Sequence, residues 1–289
     1  MTKRSIRPSL RTLGILFGAL LLLSTAGVSL VRWADIHYAG ETLKDAWGRW
    51  RFHEEWGSAP VLRAQQDYRW VAPGMLVAHA LGGSGSDEQN TLSTMDKSLA
   101  LGLKVLEIDV WLDQQGQLRC HHGPEHPAAL KTGECTWDKA LQKANAADAW
   151  LVLDLKTDFR KTAQALLDRL PNTQAADHII FQLYKPDHIS LFAEWQKQYP
   201  LPGPIITSYI AKRSMQHVAQ NAQRVGVQVL TLPLYRRAAL KNDATGLHIL
   251  VHPIHDCTEL RLAAPAAGYY VTADGARLIR QECKEQLQG

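Results

Sequence analysis

From Met75 onward, short runs of apolar, often β-branched residues alternate with stretches whose apolar positions recur every three or four residues. The first pattern predicts strands and the second amphipathic helices. Eight strands are expected, at 75–81, 105–112, 150–156, 178–183, 204–209, 228–233, 248–253 and 269–272. Helical patterns at 90–101, 161–170, 189–198 and 215–225 fall between them. Asn90 is read as the N-cap of the first helix. Gly102 and Gly226 stand where a helix should stop. Eight strands with helical crossovers over about 215 residues predict a single α/β (β/α)8 TIM barrel. A doubly wound open sheet is the alternative that strand counting leaves standing.

A different pattern precedes the barrel. Residues 12–31 form 20 positions without a charge, behind Lys3, Arg4, Arg7 and Arg11. A helix of that length covers about 30 Å, the thickness of a bilayer's hydrocarbon core. Cations before it and none within it predict a transmembrane signal anchor with a cytoplasmic tip over 1–31. The barrel would then lie on the exported, periplasmic side of a bacterial-type inner membrane. A cleavable signal peptide, with Ser24-Thr25-Ala26 as the cleavage site, is the second reading and gives a secreted protein. Removing those four cations from the 32 basic residues leaves 28, equal to the 28 acids. The rest of the chain is formally neutral, so no nucleic-acid partner is expected. Residues 32–70 carry Trp33, Trp47, Trp50, Trp56 and Trp70 and read as a juxtamembrane segment. The other reading packs these rings under the domain that follows, which spans 71–289.

Four cysteines, Cys120, Cys135, Cys257 and Cys283, follow the apolar run. An even count suits disulfides in an exported protein. Three pairings can be drawn. Cys120 with Cys135 closes a short loop, and Cys257 with Cys283 then ties two C-terminal elements. Four free thiols remain the alternative.

In a barrel of this kind, chemistry sits at the C-terminal ends of the strands. The first strand ends at His79, followed by the glycine-rich run Gly82-Gly83-Ser84-Gly85. No Gly-Lys-Ser/Thr is present, so this is not a Walker loop. The second strand carries Glu107 and Asp109, which alternation places on one face. Two adjacent inward carboxylates repel unless a proton or cation lies between them, and a hard divalent cation suits oxygen ligands. His121 and His122 follow a hairpin at Gly116. With Cys120 and His126 they match no structural zinc spacing, and a general acid/base role fits better. The third strand places Asp154 and Lys156 on one face, where a lysine can hold a phosphate oxygen. Together these residues suit displacement at phosphorus, with one histidine taking a proton and the other giving one.

The ordered set His79, Asn90-Thr91, Glu107-x-Asp109, Gly116-x-Leu118-x-x-x-His122 and Asp154-x-Lys156 resembles the glycerophosphodiester phosphodiesterases. Asp154-Leu155-Lys156, and His122-Gly123 near Cys135, are similar to the sphingomyelinase D branch of the same superfamily. The resemblance implies His79 and His122 as the acid/base pair and Glu107, Asp109 and Asp154 as ligands of Mg²⁺ or Ca²⁺. Lys156 would contact the phosphate of a phosphodiester or lipid substrate. The sequence departs from the family pattern at Ala80, which replaces Arg, at Gln89 and Asp154, which exchange with Glu, and at Gly123, which replaces Asp. The family's C-terminal Thr-Asp-x-Pro is represented only by Thr272-Ala273-Asp274-Gly275. The function expected is metal-dependent hydrolysis of a phosphodiester, whether a glycerophosphodiester, a phospholipid head group or an envelope phosphodiester. The alternative is a catalytically inactive barrel that binds a lipid or an envelope partner.

Overall fold

The computed structural model describes residues 59–62, 66–123, 135–207, 215–239 and 246–287. Among the described residues there are nine strands: β1 Met75–Ala78, β2 Val105–Leu112, β3 Leu118–Cys120, β4 Trp150–Leu155, β5 Ile179–Leu183, β6 Ile205–Thr207, β7 Val229–Pro233, β8 His248–His252 and β9 Gly268–Val271. All but β3 run parallel, and pairing of β1 with both β2 and β9 closes the sheet into an eight-stranded barrel. The open-sheet alternative is thereby excluded. Strand β3 pairs antiparallel with the far end of β2, beyond the reach of the short β1. The hairpin turn is held by Asp113, whose carboxylate accepts from the backbone of Gln115 and Gln117 and from Arg119 Nε at 2.7 Å.

The helices are α1 Leu92–Ala100, α2 Trp137–Ala146, α3 Phe159–Leu167, α4 Pro186–Trp195, α5 Met215–Val225, α6 Cys257–Ala263, α7 Ala273–Glu282 and α8 Lys284–Leu287. Gly102 and Gly226, just past α1 and α5, have φ of +72° and +81°, a region that side-chain-bearing residues rarely enter. Asn90 does not cap α1. The hydroxyl of Thr91 does so, accepting from Thr94 N, because Asn90 is engaged inside the barrel.

Strand alternation sorts the core into two clusters. Outward residues such as Leu106, Ile108, Leu151, Leu153 and Phe181 pack beneath the helices. Inward residues Val77, Val105, Val152, Ile180, Ile205, Val229, Leu250 and Tyr270 fill the lower barrel. Trp70 joins this inner cluster and closes the base. Its neighbour Tyr68 accepts from Gln228 N at 2.9 Å and donates to Pro204 O at 3.2 Å. A Cβ at Gly203 would fall 2.3 Å from the Tyr68 ring, so only glycine lets this segment cross. Trp33, Trp47, Trp50 and Trp56 lie outside the described residues. Disulfides join Cys120 to Cys135 and Cys257 to Cys283.

The expected membrane anchor is corrected. Among the described residues no helix is long and apolar enough to cross a membrane. The longest, α5, has 11 residues and covers about 16 Å, roughly half a hydrocarbon core. Residues 12–31 lie outside the described residues. The N-terminal helix as a membrane partner, and the single-pass inner-membrane placement with a periplasmic domain, are withdrawn with it.

Helices α3 and α4 meet through a ring stack. Phe159 and His188 lie face to face, 3.8 Å between centroids and 6° between planes. Tyr184 N–H donates to His188 Nδ1. Burial lowers the His188 pKa to about 4, so the folded ring is neutral at pH 7.

Two outcomes follow from this packing. Trp70→Ala should cost about 3–5 kcal/mol in urea unfolding, the usual penalty for emptying a buried aromatic site. A loss below 1 kcal/mol would mean the ring does not close the barrel. For His188, folded and unfolded chains are both neutral above pH 6.5. Below it the unfolded chain gains a proton that the folded chain refuses until about pH 4. Stability should therefore fall as the pH drops from 6.5, by roughly 1 kcal/mol at pH 5 after allowance for partial solvent contact. His188→Gln should reduce that pH dependence, and identical slopes in wild type and variant would refute the assignment.

Candidate active site

Polarity rises up the barrel interior. Above the apolar floor come Gln182, Thr207 and Thr231, all buried, with Thr207 Oγ1 donating to Gln182 Oε1 at 2.8 Å. Above these stand three buried carboxylates, Glu107, Asp109 and Asp154. Glu107 and Asp109 lie two apart on β2, and Asp154 is the register partner of Asp109 across β2–β4. Each offers an oxygen within 4.8 Å of the other two, a donor set able to hold a metal ion. All-oxygen carboxylate donors fit a hard divalent cation.

Lys156, one residue beyond β4, reaches back into this cluster. Its Nζ lies 2.9 Å from Asp109 Oδ1 and 2.6 Å from Asp154 Oδ2. Burial alone would lower the ammonium's pKa, but Asp109, Asp154 and Glu107 outweigh it and hold the pKa above its ordinary value. One ammonium does not balance three carboxylates. Burial, then the charges of Asp109 and Asp154, push the Glu107 pKa well above the usual carboxylate range. A cation held by the cluster, or a proton on Glu107, would relieve that repulsion.

Local backbone geometry serves the same acids. Strand β1 runs into a tight 3-10 turn, His79–Gly82, where Ala80 and Leu81 adopt φ of +47° and +61°. That conformation is costly for residues with side chains. It aims Ala80 N–H at Glu107 Oε2, 2.6 Å away. The turn is pinned by Asn90 N–H to Ala80 O at 2.8 Å and by Ser98 Oγ to Leu81 O at 2.9 Å. Asn90, itself at φ +57°, clamps Asp109 twice: Nδ2 donates to Oδ2 at 2.7 Å, and Oδ1 accepts from Asp109 N at 2.9 Å.

His79 and His122 face one cavity of about 1440 Å³ that also takes in Asp109, Asp154, Lys156 and His252. His79 Nε2 stands 3.9 Å from Glu107 Oε2. Burial lowers the His79 pKa, while Asp109 and Asp154 oppose the shift. His122 sits on the turn after β3, exposed at the rim. The preceding His121 is buried, its ring stacked on Trp111 at 5.7 Å and 19°. With the Cys120–Cys135 disulfide, this stack ties the His122 turn to the barrel. His126 lies outside the described residues.

All six residues singled out from the sequence, His79, Glu107, Asp109, His122, Asp154 and Lys156, thus meet around one cavity or the acid cluster in its wall. Sequence reasoning misread Asn90 as a helix cap, although its place in the Asn90-Thr91 pair was the available signal. Of the rest of the lining, the sequence marks His252 and Tyr184 only by their places at strand ends and gives no sign of Phe159 and His188. Asp256 and Thr272 are structural. Asp256 caps α6 by accepting from Thr258 N and Glu259 N, and Thr272 caps α7 by accepting from Gly275 N.

No protein-family model matches the chain. No curated protein matches it either. Solved structures do. A glycerophosphodiester phosphodiesterase from Thermotoga maritima is 18% identical with a TM-score of 0.52, over 72% of this chain and 98% of that one. An Oleispira antarctica phosphodiesterase, solved with the product sn-glycerol-3-phosphate, is 16% identical with a TM-score of 0.55, over 78% of this chain and all of that one. A glycerophosphoryl diester phosphodiesterase from Parabacteroides distasonis is 13% identical with a TM-score of 0.53, over 77% and 93%. At these identities the likeness is one of architecture, and the chain has the fold of the glycerophosphodiester phosphodiesterases.

Proposed function

We propose that this chain is a metal-dependent phosphodiesterase of the glycerophosphodiester phosphodiesterase type, acting on a glycerophosphodiester or a phospholipid head group. The observation that carries the reading is the buried triad of Glu107, Asp109 and Asp154, with Lys156 against it, at the wall of a cavity that His79 and His122 share. Mg²⁺ or Ca²⁺ held by the three carboxylates would neutralise charge on the phosphate oxygens. Lys156 contributes a second positive charge at the cavity wall, where a non-bridging phosphate oxygen can take it up. One histidine of the pair removes a proton from the attacking hydroxyl, supplied by water or by a neighbouring hydroxyl of the substrate. The other protonates the departing alcohol oxygen. The P–O bond to that alcohol breaks as the new P–O bond forms. The Oleispira structure's product, sn-glycerol-3-phosphate, makes glycerophosphodiesters the first substrates to try.

The test is hydrolysis of glycerophosphocholine, a lysophospholipid and bis-nitrophenyl phosphate by the full chain with Mg²⁺, with Ca²⁺ and with chelator. Turnover that chelator abolishes is expected, with kcat reduced by about 10²–10⁴-fold in His79→Ala and in His122→Ala. A metal-loaded protein that turns over none of the three diesters would sink the proposal. Asn90→Ala removes both hydrogen bonds to Asp109 and should weaken divalent-ion binding by about 10–100-fold in titration calorimetry. Unchanged affinity would show that Asp109 needs no such clamp.

A further inference from the structure

A histidine that moves a proton must be held in one orientation, since a small misplacement costs a large factor in rate. His79 has no such hold from its nearest acid, because 3.9 Å to Glu107 is too long for a hydrogen bond. Its ring meets two others instead. His252 lies 6.3 Å away between centroids at 29°, and Tyr270 lies 6.1 Å away at 77°. Those two also meet each other, edge to face, at 5.8 Å and 71°. Such offset and edge-on arrangements are the favoured ones for aromatic neighbours.

The barrel's register builds this triangle. Strand β9 lies between β1 and β8. Tyr270 pairs with Val77, two residues before His79, and Val251 pairs with Tyr269, which sets His252 beside Tyr270. His252 is 4% exposed and Tyr270 is fully enclosed, whereas the His79 side chain retains 31%. The two buried rings therefore form a fixed wall, and the partly open ring leans on it. Burial, then the charges of His79 and Lys156, lowers the His252 pKa to about 3. A neutral ring there adds no charge beside a histidine that has to gain a proton.

We propose that His252 is a positioning residue for His79, acting through ring packing, with Tyr270 as its support, rather than through a proton of its own. The proposal rests on the reading of His79 as a proton carrier.

The experiment compares His252→Ala, His252→Phe and His252→Asn in the full chain loaded with Mg²⁺ or Ca²⁺. His252→Ala should lower kcat by about 10–100-fold while KM and metal affinity stay within about twofold. His252→Phe, which keeps the ring, should restore most of kcat, and His252→Asn should not. The reverse order, with asparagine active and phenylalanine as damaged as alanine, would overturn the proposal, because the ring nitrogen would then be the working part. A second arm needs no turnover. The His79 ring-proton resonance, assigned by its loss in His79→Ala, should move in His252→Ala and stay near its wild-type position in His252→Phe. A His79 resonance unmoved by His252→Ala would also overturn the proposal. If wild type hydrolyses no diester, the reading of the site as a phosphodiesterase fails by itself, and the resonance arm still decides whether His252 holds His79.

Discussion

Three carboxylates buried within 4.8 Å of one another set the terms for the upper half of this barrel. Like charges that close repel strongly where water cannot screen them. The polar groups around the cluster answer that repulsion. Lys156 supplies an ammonium to Asp109 and Asp154, Asn90 grips Asp109 by two bonds, and Ala80 N–H points at Glu107. The compensation is partial: burial first, then the charges of Asp109 and Asp154, still push the Glu107 pKa up. A site that needs one more positive charge is a site ready for a cation.

Holding such a cluster requires a rigid base. The lower barrel supplies it with eight inward residues, mostly β-branched, closed beneath by Trp70. Gln182, Thr207 and Thr231 form a polar tier between this floor and the acids. The gradient from apolar to polar to charged is written into successive inward positions of single strands. On β2 they are Val105, Glu107 and Asp109, and on β4 Val152 and Asp154, with Lys156 just beyond. In the His79–Gly82 turn the positive φ angles of Ala80 and Leu81 are stabilised by Asn90 and Ser98. That strain persists because the surrounding hydrogen bonds over-determine the turn.

The short apolar, β-branched run made the eight parallel strands legible, because inward and outward faces are both buried and both apolar in the lower barrel. It also made the acids legible, since a carboxylate breaking an apolar run on a fixed face has few innocent explanations. Asn90 was harder, because a helix cap and a carboxylate clamp use the same residue type at the same distance from a helix start. Only the fold shows that its backbone turns to φ +57° and carries the amide inward. His252 was harder still. A lone histidine at a strand end carries no pattern, and its meaning comes from Tyr270 and His79, 18 residues after it and 173 before it. The apolar run at 12–31, whose hydropathy and length invite a span, lies outside the described residues, and no helix among those described is long and apolar enough for one.

The departures from the family pattern lose much of their weight against this geometry. At position 80 the group that reaches Glu107 is the backbone N–H, so alanine there leaves that support intact. At position 154 the shorter acid faces Asp109 directly across the strand pair, where Lys156 can touch both at once. At position 123 the glycine follows a turn already fixed by the His121–Trp111 stack and the Cys120–Cys135 disulfide, so the turn does not depend on an acid there for its hold. Ala80 and Gln89 alter the lining of the cavity, while Asp154 keeps a carboxylate within the cluster itself. The proposed reading of the site therefore rests on the compensated carboxylates rather than on the motif letters.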